Sequence, residues 1–159
     1  MRSNRSAARL AVVPAVAAGA MLVLAGCSGG SAPSDQSLSV GYSDAGEAVD
    51  AAVALPEVDC SELAGTLVYS ADGESDADDW GLLRASATDT AERQSYSISI
   101  GLGDGLWFIS SEEFGSDATS ITLDGLAGVV TPVTFDNGVG RVGTSIDTAA
   151  TATGTVECS

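Results

Sequence analysis

The sequence predicts an all-β domain, a small antiparallel sandwich or barrel-like fold, over residues 37–159. Two observations lead there. Short segments rich in Val, Ile, Thr and aromatic residues recur along the chain, several of them alternating polar and apolar side chains as a half-buried strand does. Between them stand Gly and Asp pairs that suit tight turns. The spacing of these segments is that of antiparallel strands packed as a sandwich or closed as a barrel.

The elements follow in order. Ser37-Leu38-Ser39-Val40-Gly41-Tyr42 alternates and reads as the first strand. Residues 44–55 carry two signals. Asp44 with Glu47 resembles a helix capping box and Pro56 would end a short helix, while Asp44-Ala45-Gly46 suits a turn and Val49, Ala51 and Val53 alternate as a strand. The strand is the preferred reading. Further strands are expected at 65–70, 80–87 and 95–101, with the acidic stretch 71–79 as a loop. Leu106-Trp107-Phe108-Ile109 is short and wholly apolar, as a buried strand is, and follows the tight-turn pair Asp104-Gly105. Ile121 and Leu123 lead into a second such pair, Asp124-Gly125, before an apolar run at 126–130. Segments 131–135 and 139–144 flank Asp136-Asn137-Gly138, the clearest hairpin in the chain, and 148–158 forms a final Thr/Ala/Val-rich strand. Tyr42, Tyr69, Trp80, Tyr96, Trp107, Phe108, Phe114 and Phe135, with the aliphatic residues around them, can furnish one modest core.

The first residues have another character. Arg2, Arg5 and Arg9 precede an apolar run of fifteen residues, Leu10 to Leu24, which is short of the roughly 20 needed for a membrane-spanning helix. Leu24-Ala25-Gly26-Cys27 follows directly. Small residues let the chain lie extended in a peptidase groove, and the cysteine thiol can accept a diacylglycerol. LAGC in this position resembles the lipobox of bacterial lipoprotein signal peptides. Residues 1–26 are therefore expected to be removed as a signal peptide, by the general secretory route since no Arg-Arg pair is present. Cys27 is expected to be lipidated, with palmitate among its acyl chains, and residues 28–36, SGGSAPSDQ, to act as a short flexible tether. The protein would then sit on the extracellular face of the cell membrane, with the membrane as a partner through covalent lipid.

Charge narrows the functions. The chain has six Lys and Arg, twenty-two Asp and Glu, and no His, for a formal charge of −16. None of the six cations is Lys, and loss of Arg2, Arg5 and Arg9 leaves Arg84, Arg93 and Arg141 against all twenty-two acids, a charge of −19. Such a field repels nucleic acid and anionic headgroups, so no nucleic-acid partner is expected. Without His, Ser-His-Asp and Cys-His catalysis cannot be built, and without Lys neither can Schiff-base chemistry. A carboxylate-based hydrolase remains conceivable on composition. Glu112 and Glu113 lie close to the apolar run, but neighbours on a strand point to opposite faces and cannot both act on one bond. The expectation is a protein that is not an enzyme and needs no cofactor.

Three clusters remain. Cys60 and Cys158 form an even pair outside the cytosol and are expected to be disulfide-bonded, stapling an early strand to the last one. Two thiolates without His do not complete a zinc site, and no metal is expected there. In the acidic loop, Asp72, Glu74 and Asp76 alternate as at the start of a calcium loop, but Ala77 and Leu83 stand where Gly and a bidentate Glu belong, so a solvated loop is preferred. Gly101-Leu102-Gly103-Asp104-Gly105 leads into a strand rather than a helix and reads as turn geometry, not a phosphate cradle. Trp80, Trp107 and Phe108 could line an apolar pocket, the alternative being that they are simply core.

Taken together, the LAGC lipobox, the Ser/Gly/Pro tether, the strand-turn segment leading into Cys60, the SYSISIGLGDGLWF block and the closing GTVECS resemble the mycobacterial nineteen-kilodalton lipoprotein antigen and its actinobacterial relatives. The Ala/Gly/Thr-rich, lysine-free composition suits a high-GC actinobacterium. This chain departs from them in its stronger acidity and longer 72–79 loop. The resemblance implies a surface-exposed lipoprotein domain with an intramolecular disulfide and, in pathogens, recognition of the acyl chains by host innate receptors. The function expected is therefore binding, interaction or envelope maintenance through an unidentified protein or apolar ligand. The runner-up is a carrier holding a small apolar or amphipathic ligand between its sheets.

Overall fold

In a computed structural model of the chain, residues 36–72, 81–136 and 139–159 are described. Every regular element among them is a β-strand. In chain order these are β1 (Gln36–Asp44), β2 (Glu47–Leu55), β3 (Asp59–Leu63), β4 (Thr66–Ala71), β5 (Leu83–Thr90), β6 (Arg93–Gly103), β7 (Leu106–Ser110), β8 (Gly115–Ser116), β9 (Ser120–Asp136), β10 (Val139–Val142) and β11 (Asp147–Glu157). All pairings are antiparallel, and the main path runs β2-β1-β11-β9-β7-β6-β5-β4-β3. The sheet curls into a half-barrel, with β2 packed across its interior against β6. The sandwich or barrel-like all-β fold expected from the sequence is the one observed.

Alternation builds this shape. Leu38 and Val40 of β1, Val53 and Leu55 of β2, Tyr69 and Ala71 of β4, and Leu83, Ala85 and Ala87 of β5 all face inward. Ile98 and Ile100 of β6, Phe108 of β7 and Ala150, Ala152 and Val156 of β11 complete most of the buried face. Each row continues from strand to strand through the register, for example Val53, Leu38 and then the neighbouring β11. Burying such rows supplies the main stabilisation, at roughly 25 cal/mol per Å² of apolar area removed from water.

The short helix considered for residues 44–55 is absent. Residues 47–55 form β2, paired with β1 along its whole length from Asp44↔Glu47 to Gln36↔Leu55. The period decides it: Val49, Ala51, Val53 and Leu55 turn one face to the core, which no helical spacing of these residues would do. Ala45 and Gly46, at φ 49° and 89°, make the two-residue turn. Asp44 thus ends a strand instead of capping a helix.

Three other departures concern the sheet's course. β3 is the early strand that the expected disulfide needs at Cys60, but its bounds are unmarked in the sequence because DCSEL has no apolar alternation; it is an edge strand paired only with β4. The segments at 121–123, 126–130 and 131–135 are one long strand, β9, and Asp124-Gly125 is a bulge within it rather than a chain reversal. Leu123 pairs with Gly154 and Leu126 with Ala152, so β9 carries one residue more than its partner there. β1 begins at Gln36, one residue inside the expected tether. By contrast, Asp104-Gly105 turns β6 into β7 as expected, with φ 50° and 72°. β9 and β10 form the expected hairpin, whose Asn137 and Gly138 lie outside the described residues.

Candidate functional site

The half-barrel is drawn together where the chain ends. Cys158, just past β11, is disulfide-bonded to Cys60 of β3, at the far edge of the sheet. Beside it Ser159 donates its backbone N–H to Val58 at 3.0 Å, and Val58 N–H donates to the Ser159 hydroxyl at 3.0 Å. The pairing expected from the sequence is the pairing found, and it holds β3 against the end of the last strand.

Next to this staple, the inward-facing rows reach an open mouth. The register sets Glu62 of β3 opposite Leu67 of β4, Leu67 opposite Ala87 of β5, and Ala87 opposite Tyr96 of β6. These four side chains therefore form one cross-strand row on the inner face, spaced by about 4.8 Å per strand. Asp89, two residues beyond Ala87, occupies the next inward position of β5. From the other side the segment 113–118 closes over the row. The result is a groove of about 570 Å³ whose lining includes Glu62, Leu67, Asp89, Tyr96, Glu113 and Phe114. Leu67 and Ala87 make its floor, and the small Ala87 leaves the room.

Aromatic and acidic groups meet in this mouth. Tyr96 and Phe114 pack edge to face, with ring centroids 5.6 Å apart. Burial, followed by the nearby carboxylates of Asp89 and Glu113, holds the Tyr96 phenol above its ordinary range. Gln94 donates a hydrogen bond to Asp89 Oδ1 at 3.1 Å. Behind the groove, Tyr69 donates its hydroxyl to the Asp117 carbonyl, and burial of its ring together with the Asp117 charge raises its pKa. Asp117 in turn accepts from Thr119 N–H, Thr119 Oγ1 and Ser120 N–H, each at 2.8 Å. These bonds pull its carboxyl below the usual aspartate value of 3.8 and fix the turn that carries Ser116 and Ala118 to the groove.

The sequence candidates fall in different places. Cys27 and Trp80 lie outside the described residues, as does the expected loop 71–79 apart from Ala71, which is buried at the end of β4, and Asp72, which pairs with Arg84 at 2.7 Å on the surface. No group of three or more His, Cys, Asp or Glu close enough for a metal occurs among the described residues. Trp107 and Phe108 are both buried but on opposite faces of β7, so they do not line one pocket together. Phe108 is wholly enclosed in the inner core, whereas Trp107 packs over Gly101 on the outer face, edge to face with Phe135 at 6.4 Å. Glu112 and Glu113 border different hollows, Glu113 the acidic groove and Glu112 one lined by Ser97, Ile109 and Thr148.

Sequence reasoning missed Tyr96, Phe114, Asp89 and Glu62 as neighbours. The alternation of Tyr96, Ile98 and Ile100 already placed Tyr96 on the core face, which was the available signal. Nothing in the sequence sets Glu62 in the same row, because that depends on the pairing of three successive hairpins. Comparison of the chain with known protein families, with curated proteins and with solved structures finds no match.

Proposed function

We propose that this chain is a lipid-anchored, non-enzymatic binding domain displayed on the outer face of a cell membrane. The observation that carries the reading is LAGC at the end of a fifteen-residue apolar run behind three arginines. Supporting it, the Cys60–Cys158 disulfide belongs to an oxidising compartment. A chain without His or Lys also lacks the usual nucleophile-activating bases. Kinship with the actinobacterial nineteen-kilodalton lipoprotein antigens is part of this proposal and rests on the motifs quoted above. The groove at the mouth of the half-barrel favours binding as the activity, since small-ligand sites occur at such mouths and in this size range.

The test is metabolic labelling with an alkyne fatty acid in the producing cells. The wild-type chain is expected to take up label and sediment with membranes, and Cys27→Ser to lose both. Unchanged labelling of Cys27→Ser would overturn the anchor. Alkylation before and after reduction checks the compartment: Cys60 and Cys158 should react only after reductant is added.

A further inference from the structure

We infer that the groove at the open end of the half-barrel is a binding site for a small organic cation, an ammonium group carried on a short apolar body. Glu62 stands in the cross-strand row of Leu67 and Ala87, and Asp89 follows Ala87 along β5; both carboxylates are exposed at the rim. Glu113 arrives from a third segment on the opposite wall. Three acids from three segments therefore line one groove with an apolar floor and an aromatic side chain, and no Arg is among the residues lining the hollow. All three acids remain exposed at the rim, while Leu67, Tyr96 and Phe114 supply the apolar and aromatic wall.

The chemistry selects the ligand. An anion is repelled by three carboxylates within a chain that carries a formal charge of −16. A neutral apolar ligand leaves the rim carboxylates to be desolvated without a partner. A bare metal ion would not find three carboxylates close enough to hold it among the described residues. An alkylammonium satisfies both halves: its charge faces Asp89 and Glu113, and its methyl or methylene groups pack on Tyr96 and Leu67. Cation–π attraction to a tyrosine face and charge pairing then act together. The half-exposed Tyr96 presents the wall, and the buried Phe114, edge-on to it, holds its ring in place.

This inference concerns the groove alone and does not depend on Cys27 or on the anchor. Its test is isothermal titration of the full chain, purified in a non-ionic detergent, with choline and with the uncharged analogue 3,3-dimethylbutan-1-ol. Choline is expected to bind one site, at least tenfold tighter than the alcohol, and less tightly as sodium chloride is raised. Tyr96→Ala should weaken choline roughly fivefold or more, and Tyr96→Phe should retain it. Asp89→Asn with Glu113→Gln should bring choline down to the affinity of the alcohol. Thermal unfolding of each variant shows that the domain is intact, and Tyr96→Phe keeps the test decisive if Tyr96→Ala unfolds. Equal binding of alcohol and choline would overturn the inference, as would no binding of choline. Displacement of choline by calcium at lower concentration than choline itself needs would also overturn it, because the acids would then form an inorganic cation site.

Discussion

Gly128 of β9 lies beneath the ring of Phe108, and a β-carbon built there would stand 2.5 Å from two ring atoms and 2.7 Å from the Ile109 carbonyl. A phenylalanine that is wholly buried cannot move aside without disturbing its neighbours. Gly128→Ala is therefore expected to lower the stability by roughly 1–3 kcal/mol, read from urea unfolding. The opposite sign is expected at Ala45 and Ala64. Both hold positive φ, 49° and 52°, at the first position of two-residue turns whose second residue is Gly. Asparagine tolerates that conformation far better than alanine. Ala45→Asn and Ala64→Asn should each raise the stability by about 0.5–1 kcal/mol in the same assay. The first turn was legible in Asp44-Ala45-Gly46, whereas Gly65 was expected to open a strand; the strain was legible at neither, because it is a property of the φ angle that the paired strands impose.

At the scale of elements, the bulge at Asp124-Gly125 matters most. Ile121 and Leu123 face the core from odd positions, whereas Leu126 and Val130 do so from even ones. One extra residue in β9 makes that change of parity, with Gly125 at φ 65°. Beyond the bulge, Thr131 and Val133 are buried on the outer side, where Thr131 donates its hydroxyl to the Gly143 carbonyl. The apolar pattern of β9 looks like three strands because it serves two faces in succession. The turn at Asp117 is a second element with a testable consequence. Its carboxyl is depressed by hydrogen bonds from Thr119 and Ser120, so its contribution is present above the unfolded aspartate value and is lost as pH falls through the depressed folded value. Wild type and Asp117→Asn should therefore differ in denaturant midpoint at neutral pH, and the difference should shrink below about pH 4. A constant gap down to pH 2 would remove this carboxylate from the acid response.

For the whole molecule, the staple between Cys60 and Cys158 spans 98 residues of sequence and joins an edge strand to the end of the chain. Closing a loop of that size contributes on the order of 4–5 kcal/mol through the unfolded state. Replacing both cysteines by Ala should lower the stability by about that amount in guanidinium titration, and should also loosen β3 from the Val58–Ser159 contacts. A loss restricted to a few tenths of a kcal/mol would mean that the hydrogen bonds alone close the half-barrel.

Much of this architecture is written locally. The alternation of Leu38 and Val40, the period of Val49 to Leu55 and the Asp104-Gly105 turn identify strands and reversals, because side-chain period and turn conformation depend only on near neighbours. The cysteine pair was legible because only two cysteines remain once Cys27 is set aside. What only the tertiary structure decided is which faces meet. Adjacent Trp107 and Phe108 went to opposite sides of one sheet, the 121–135 region ran through a bulge instead of turning, and Glu62, Asp89, Tyr96 and Glu113 came to one mouth. The physical reason is that β-pairing is non-local: register, bulges and curl are set by partners far away in sequence, and a site built across four strands and a loop exists only once they are in place.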